Sequence, residues 1–281
     1  MDKPFADLHV HSFYSDGSMS PDEIMEAAVS NDVGLLAIAD HNALDGSIKI
    51  RKLCKDNGIQ YIPAVEINTL EGGTDFHILA YGFDIENVEF TEFIKHTRFL
   101  LDETSVKLIE LMQSDYSDIS LEDYMKYTHD RRLGGFKALS YFISKGLTSN
   151  LKEGMQFFPK YGMMDFSKTG FSTIAATAYR IKSAGGYAVL AHPGNMIDTS
   201  DINNFKDELM RIVSLGLNGI ECYYPSHSEA ITKVCIEICD KHDLLITAGS
   251  DCHGSFMKTR VGEMDINLSK LRLKELLANE Y

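Results

Sequence analysis

Asp7-Leu8-His9-Val10-His11 closes the first apolar run of the chain, and the residues after that run decide how the rest is read. Residues 4–10 have the length and composition of a β-strand. A strand period of two puts Asp7, His9 and His11 on one face and Leu8 and Val10 on the other. Two imidazoles two residues apart on a strand can converge on one cation. The turn-rich Ser15-Asp16-Gly17-Ser18 comes next and brings another carboxylate to the same rim. The pattern then recurs. Apolar, strand-like runs lie at 34–39, 60–67, 76–83, 187–191, 218–223 and 244–249. Asp40-His41 ends the second run and Glu66 the third, while His77 lies early in the fourth. His192-Pro193 ends the fifth, and Asp251 and His253 come after the last.

Helical patterns fill the gaps. One starts at Ser20-Pro21-Asp22-Glu23, where Ser20 can cap, Pro21 fits the first turn and the acids suit the helix N-terminus. Others run over 45–57, 173–184, 203–215 and 228–242. Strand–helix alternation predicts an α/β protein with a mostly parallel sheet and outer helices, and seven strands suggest a closed or nearly closed β/α barrel. The alternation stops between 84 and 171, where helices are expected over 91–114, 121–127 and 136–145. The expected organisation is a barrel made of 1–83 and 172–281, with 84–171 inserted over its mouth. Within 126–168 there are eight Lys/Arg against three Asp/Glu, although the whole chain carries −14. A solvated helical surface explains this, and so does a lid that offers cations to an anionic substrate. For the lid, Arg131 and Arg132, ahead of Gly134-Gly135, are the best candidates, with Lys137 after them.

At 281 residues the chain suits one large domain with an insertion. No apolar stretch is long enough to span a bilayer, and Met1-Asp2-Lys3-Pro4-Phe5 does not read as a signal peptide, so a cytoplasmic protein without membrane attachment is expected. The net charge of −14 argues against extended nucleic acid as a partner, so an anionic substrate must be attracted locally. The five cysteines fit no zinc-knuckle spacing. Cys235 and Cys239, four apart on an apolar helical face, read as reduced core thiols.

Each titratable residue alone has an ordinary explanation: a cap, a satisfied core histidine, a turn. Together, His9, His11, Asp16, His41, Glu66, His77, His192, Asp251 and His253 lie nearly all at the downstream ends of strands, where barrel active sites form. A Glu buried at a strand end needs a partner, because an unpaired buried charge is costly. Histidine and carboxylate without thiolate suit manganese, iron or zinc better than calcium or magnesium. Nine ligands exceed the needs of one ion and suit two or three, with Glu66 as a bridge. Adjacent ions of this kind activate water toward phosphorus and neutralise the leaving oxygen.

These residues resemble the PHP family (polymerase and histidinol phosphatase). The resemblance rests on Asp7-Leu8-His9-Val10-His11-Ser12, Ala39-Asp40-His41-Asn42, Val65-Glu66-Ile67, His77, Ala191-His192-Pro193 and Gly249-Ser250-Asp251-Cys252-His253. It covers roughly 4–83 and 172–255. Within the family the chain looks most like stand-alone phosphatases of nucleoside 3′,5′-bisphosphates and 5′-to-3′ exoribonucleases. The resemblance implies a distorted seven-stranded β/α barrel with a trinuclear site. His9, His11, Glu66 and Asp251 would hold one metal, Glu66, His77 and His192 the second, and Asp16, His41 and His253 the third. Glu66 and Asp251 would thereby share in catalysis, with Asp7 and Asp40 supporting the ligands. The insertion of such relatives supplies basic residues for the substrate's other phosphate, but their Gly-Arg-Pro-His stretch is replaced here by Asp130-Arg131-Arg132-Leu133-Gly134-Gly135-Phe136. His227 reads either as a substrate-facing general acid or as an ordinary helix-start histidine. The expected function is metal-dependent hydrolysis of phosphate esters of small molecules, nucleotides first. Histidinol-phosphate phosphatase is the alternative enzyme, and a non-catalytic metal-bound module that binds nucleic acid or a partner is the alternative of another class.

Overall fold

The computed structural model describes residues 4–277. Its strands are β1 (Phe5–Val10), β2 (Val33–Ile38), β3 (Gln60–Tyr61), β4 (Ala64–Glu71), β5 (Thr74–Tyr81), β6 (Tyr187–Leu190), β7 (Gly219–Tyr223) and β8 (Leu245–Ala248). Between the strands come α1 (Pro21–Ser30) and α2 (Asp45–Asn57). Five helices come after β5: α3 (Val88–Met112), α4 (Leu121–Lys126), α5 (Lys137–Ser144), α6 (Leu151–Met155) and α7 (Phe157–Lys160). The remainder are α8 (Ile174–Ser183), α9 (Pro193–Met196), α10 (Ile202–Val213) and α11 (Glu229–His242). No helix among the described residues is long and apolar enough to cross a membrane.

The α/β alternation is present, but the strands do not make one seven-stranded barrel. They form a parallel sheet β1-β2-β3 and a mixed sheet β4-β5-β6-β7-β8. Two local features account for the difference. Pro63, which has no N–H to give a ladder, splits the run 60–67. Gln60 and Tyr61 pair with β2, whereas Ala64 onward pairs with β5. Gly72 and Gly73, both at positive φ (60° and 87°), then make the two-residue turn of a hairpin, so β5 runs antiparallel to β4. Single-residue bridges, Val10 to Cys252 and His41 to Glu66, connect the two sheets at the end where the ligand candidates lie.

The sheets share an apolar interior: Leu8, Leu35 and Ala37 of the first pack with Leu79, Val189 and Leu245 of the second. Helices cover the outside. Ile24 and Ile50 pack on Leu36 and Ile38, and Ile181, Leu209 and Ile238 pack on Ile78, Ala188 and Ile220. Each such side chain contributes about 1.5–3 kcal/mol when fully buried. All five cysteines are buried in the core. In the helical stretch, α3 joins two cores. Phe90, Phe93 and Ile94 sit in the sheet's outer core, while Leu108, Ile109 and Met112 pack with Tyr124, Leu139 and Phe142.

One irregularity redirects the opening strand. The pairing of β1 with β2 shifts register between Asp7 and Val10. Such a bulge re-aims side chains. Leu8 therefore points into the shared interior and Val10 into the outer core, rather than both to one face.

Candidate metal centre

The bulge also separates Asp7 from His9 and His11. Asp7 turns to Ser250, whose N–H (2.9 Å) and Oγ (2.7 Å) donate to it, and to the N–H of Gly262 (2.7 Å). Asp7 also accepts from the His9 N–H (3.4 Å), and burial pushes its carboxyl up to about 6 despite these donors. Asp40 does similar work on the next loop, accepting from Ser12 N–H (2.7 Å), Ser12 Oγ (2.6 Å) and Ser15 Oγ (2.7 Å). It fixes the turn between His11 and Asp16.

His9, His11, Asp16, His41, Glu66, His77, His192, Asp251 and His253 come together in one cluster. Main-chain pairing brings the first and last strands to it: Asp251 N–H donates to His9 O (2.8 Å) and His11 N–H to Cys252 O (2.9 Å). Glu66 is the hub. Its Oε2 lies 3.2 Å from His9 Nε2, 3.2 Å from His11 Nε2 and 3.3 Å from His41 Nε2. Its Oε1 lies 3.0 Å from His77 Nδ1 and 2.9 Å from His192 Nε2. Asp251 Oδ1 is 3.1 Å from His11 Nε2, and Asp16 Oδ2 is 3.3 Å from His253 Nε2.

Four overlapping groups place one donor atom per residue within 4.8 Å of one another. They are His11/Asp16/His41/His253, His9/His11/Asp251, His9/Glu66/His192 and His41/Glu66/His77. The donor set fits divalent cations. Glu66 Oε2 and Asp16 Oδ1 are buried and accept no well-aligned hydrogen bond among the described residues, an arrangement that calls for positive charge at that point. His9 Nε2 and His11 Nε2 face each other at 3.0 Å, which two unprotonated lone pairs would not tolerate without a cation or proton nearby.

Electrostatics agree. Burial pushes all three carboxyls up, but the surrounding histidine charges outweigh it. They hold Glu66 (by His41, His9 and His77) and Asp251 (by His9) well below the usual carboxylate range, and Asp16 (by His253 and His41) below it too. Burial pushes the imidazoles down, yet the carboxylates lift His9 and His77 well above their ordinary value and bring His11 to about 10. His41 goes the other way, down to about 4, because burial and the charges of His11 and His77 prevail there. His192 (φ 27°) and Asp251 (φ 51°) sit in the left-handed region, a strain of about 1–3 kcal/mol each of the kind that gathers at functional sites.

Other candidates are not brought to the cluster. His227 Nδ1 lies 3.1 Å from the Cys222 carbonyl and its Nε2 accepts from Gly194 N–H (3.1 Å), so both nitrogens have main-chain partners. Arg132 forms an ion pair with Glu23 of α1. Lys137 lies 4.6 Å from the ring centre of Tyr124 and packs inside the helical segment. Arg131 is exposed in a short 3-10 turn.

Three residues at the site went unread in the sequence. Glu221 is fully buried, lies 2.9 Å from His9 Nδ1 and accepts from the His192 N–H (2.8 Å). The signal was available: one acid in the apolar strand 218–223. Tyr224 donates its hydroxyl to Asp251 Oδ2 (2.7 Å). Arg98 of α3 donates to the His41 carbonyl (3.3 Å), and Gly135 N–H to the Asp16 carbonyl (2.7 Å), so the helical segment touches two loops of the cluster.

The chain is similar to known proteins. The chain is 29% identical over 261 residues to a phosphoribosyl 1,2-cyclic phosphate 1,2-diphosphodiesterase of Eggerthella lenta, covering 89% of this chain and 94% of that one. It is 24% identical to a 3′,5′-nucleoside bisphosphate phosphatase of Chromobacterium violaceum, over 88% and 86% of the two chains. It is 26% identical to the 5′-3′ exoribonuclease Rnm of Escherichia coli, over 67% and 65%. Among solved structures, a protein of Bifidobacterium adolescentis assigned as a metal-dependent phosphoesterase has the same fold, with a TM-score of 0.75, 23% identity and 97% and 93% coverage. Residues 7–222, which carry most of the cluster, match the PHP domain, and the chain belongs to that family.

Proposed function

We propose that the chain is a metal-dependent phosphoesterase whose substrates are nucleotides, either nucleoside bisphosphates or short oligonucleotides. The observation that carries this is the Glu66 carboxylate, with three imidazoles on one oxygen and two on the other, a donor set that would suit more than one ion. His9, His11 and Asp251 would complete one site, His77 and His192 a second, and Asp16, His41 and His253 a third. Bound manganese, iron or zinc ions would supply Lewis acidity and a water acidified toward neutral pH.

The chain's own residues do the rest. Glu221, in contact with His9 Nδ1, directs that ring's other nitrogen inward, and Tyr224 orients Asp251. The two sheets read as a distorted β/α barrel, and 84–171 as its lid. Arg98 donates to the His41 carbonyl and is the segment's cation in contact with a loop of the cluster, and the exposed Arg131 is a second candidate for an anionic substrate. The relatives' activities, on a phosphoribosyl cyclic phosphate, a nucleoside bisphosphate and RNA, support phosphate esters of ribose and nucleotides.

The test is a phosphate-ester screen of manganese-loaded protein. It would include nucleoside 3′,5′-bisphosphates, a 5′-phosphorylated oligoribonucleotide, a ribose cyclic phosphate and histidinol phosphate. Turnover of a nucleotide ester, abolished by chelation, is expected. A fully metallated chain that turned over none of them would sink the reading, and preference for histidinol phosphate would replace the substrate class.

A further inference from the structure

A cavity of about 450 Å3 lies between α1 and residues 252–261, lined by Ser18, Cys252 and Gly254 from the loops that carry Asp16, Asp251 and His253. That volume is within the range of small-molecule sites. Its lining divides by chemistry. Met19, Ala27 and Val261 are apolar, and Arg132 and Arg260 supply cations. Two arginines on one cavity stand out in a chain of net charge −14. Arg132 arrives from the helical segment and pairs with Glu23, which also lines the cavity. Arg260 donates its main-chain N–H to Glu263 (2.7 Å), but its guanidinium makes no ion pair among the described residues.

We propose that this cavity is an accessory binding site for a small molecule joining a planar apolar ring to a phosphate, with nucleoside monophosphates as the ligand class. The phosphate would meet Arg260 and compete with Glu23 for Arg132, since guanidinium binds phosphate through paired donors. The ring would lie against Met19, Ala27 and Val261. The choice of nucleotide rests on the proposed function, because a nucleoside monophosphate is what hydrolysis of a bisphosphate releases.

The site has a route to the metal cluster. Ser18 Oγ donates to the His253 carbonyl (3.3 Å) and Thr259 Oγ1 to the Asp251 carbonyl (3.1 Å), and both residues line the cavity. Arg132 lies three residues before Gly135, whose N–H holds the Asp16 carbonyl. A ligand that draws Arg132 inward thus acts on the main chain beside Asp16, Asp251 and His253.

Calorimetric titration of adenosine 5′-monophosphate into the full manganese-loaded chain tests this. A binding event is expected that survives Glu66→Gln, weakens at least tenfold in Arg260→Glu, and is lost in Ala27→Phe, which fills the cavity. Arg260 is exposed, so its variant keeps the test valid should Ala27→Phe misfold. Inorganic phosphate should bind at least tenfold more weakly than the nucleotide. Absence of binding at millimolar nucleotide, loss of binding in Glu66→Gln, or wild-type affinity in Arg260→Glu would overturn the assignment. Equal affinity for phosphate would overturn its apolar half. Failure of ester turnover with this binding intact would refute the phosphoesterase reading alone.

Discussion

Glu221 shows how one buried acid can govern several ligands. It has no exposure, and its two oxygens meet the His9 ring and the His192 main chain. Partners of this kind fix ring orientation and tautomer, and their removal typically costs about 10- to 100-fold in metal affinity. Glu221→Ala should therefore weaken manganese binding by about that much in a chelator competition, and Glu221→Gln, which keeps one acceptor, should recover part of it. Equal affinity in wild type and Glu221→Ala would show that His9 needs no such support. Tyr224→Phe removes one hydrogen bond to Asp251 and one from Asn195 Nδ2, and since only the first touches a proposed ligand, a smaller loss of metal affinity, about 1 kcal/mol, is expected in the same assay.

At the scale of elements, the end of β8 must come against β1 for Asp251 to join His9 and His11. Gly249 allows it. A Cβ there would fall 2.1 Å from His9 Cβ and 2.7 Å from Glu221 Oε1. Gly249→Ala should lower stability by about 1–3 kcal/mol, as overpacking does, and should weaken metal binding as well. Gly58→Ala is the control. Gly58 has φ 63° with no atom within 4 Å of its would-be Cβ, so that variant should lower the melting temperature without changing metal affinity. If the two variants match in metal affinity, the approach of β8 to β1 does not set the site. The residues of the cluster were legible in the sequence because so many His and carboxylate side chains near the ends of apolar runs have ordinary explanations singly but not together. Strand order was not, because it depended on Pro63 and on the Gly72-Gly73 turn, which change pairing partners without changing the apolar pattern. The fates of Arg132 and His227 were also hidden. Glu23 and the Gly194 N–H, which hold them, are distant in sequence and carry no motif.

For the molecule as a whole, the cluster is a concentration of charge that folding must tolerate. In the metal-free chain, protons are the available counter-charge, and the carboxylates hold His11 near 10 and lift His9 and His77 well above the ordinary imidazole value. Linkage fixes the sign of the pH dependence. A histidine whose pKa is raised on folding lends stability that is fully present below its unfolded value of about 6.5 and disappears as pH rises through the folded one. Chelated protein should thus melt progressively lower between pH 6.5 and about 10, the value for His11. Metal reverses the dependence, because ligation requires deprotonated imidazole and so strengthens as pH rises. With free metal at about 100 times its Kd, binding adds about 2.7 kcal/mol to stability. The gap in melting temperature between manganese-loaded and chelated protein should therefore widen from pH 6.5 to pH 9, and calorimetry across that range measures it. A gap that stayed constant or narrowed would mean that protons and metal do not compete for the same imidazoles, and the ligand set built around Glu66 would have to be redrawn.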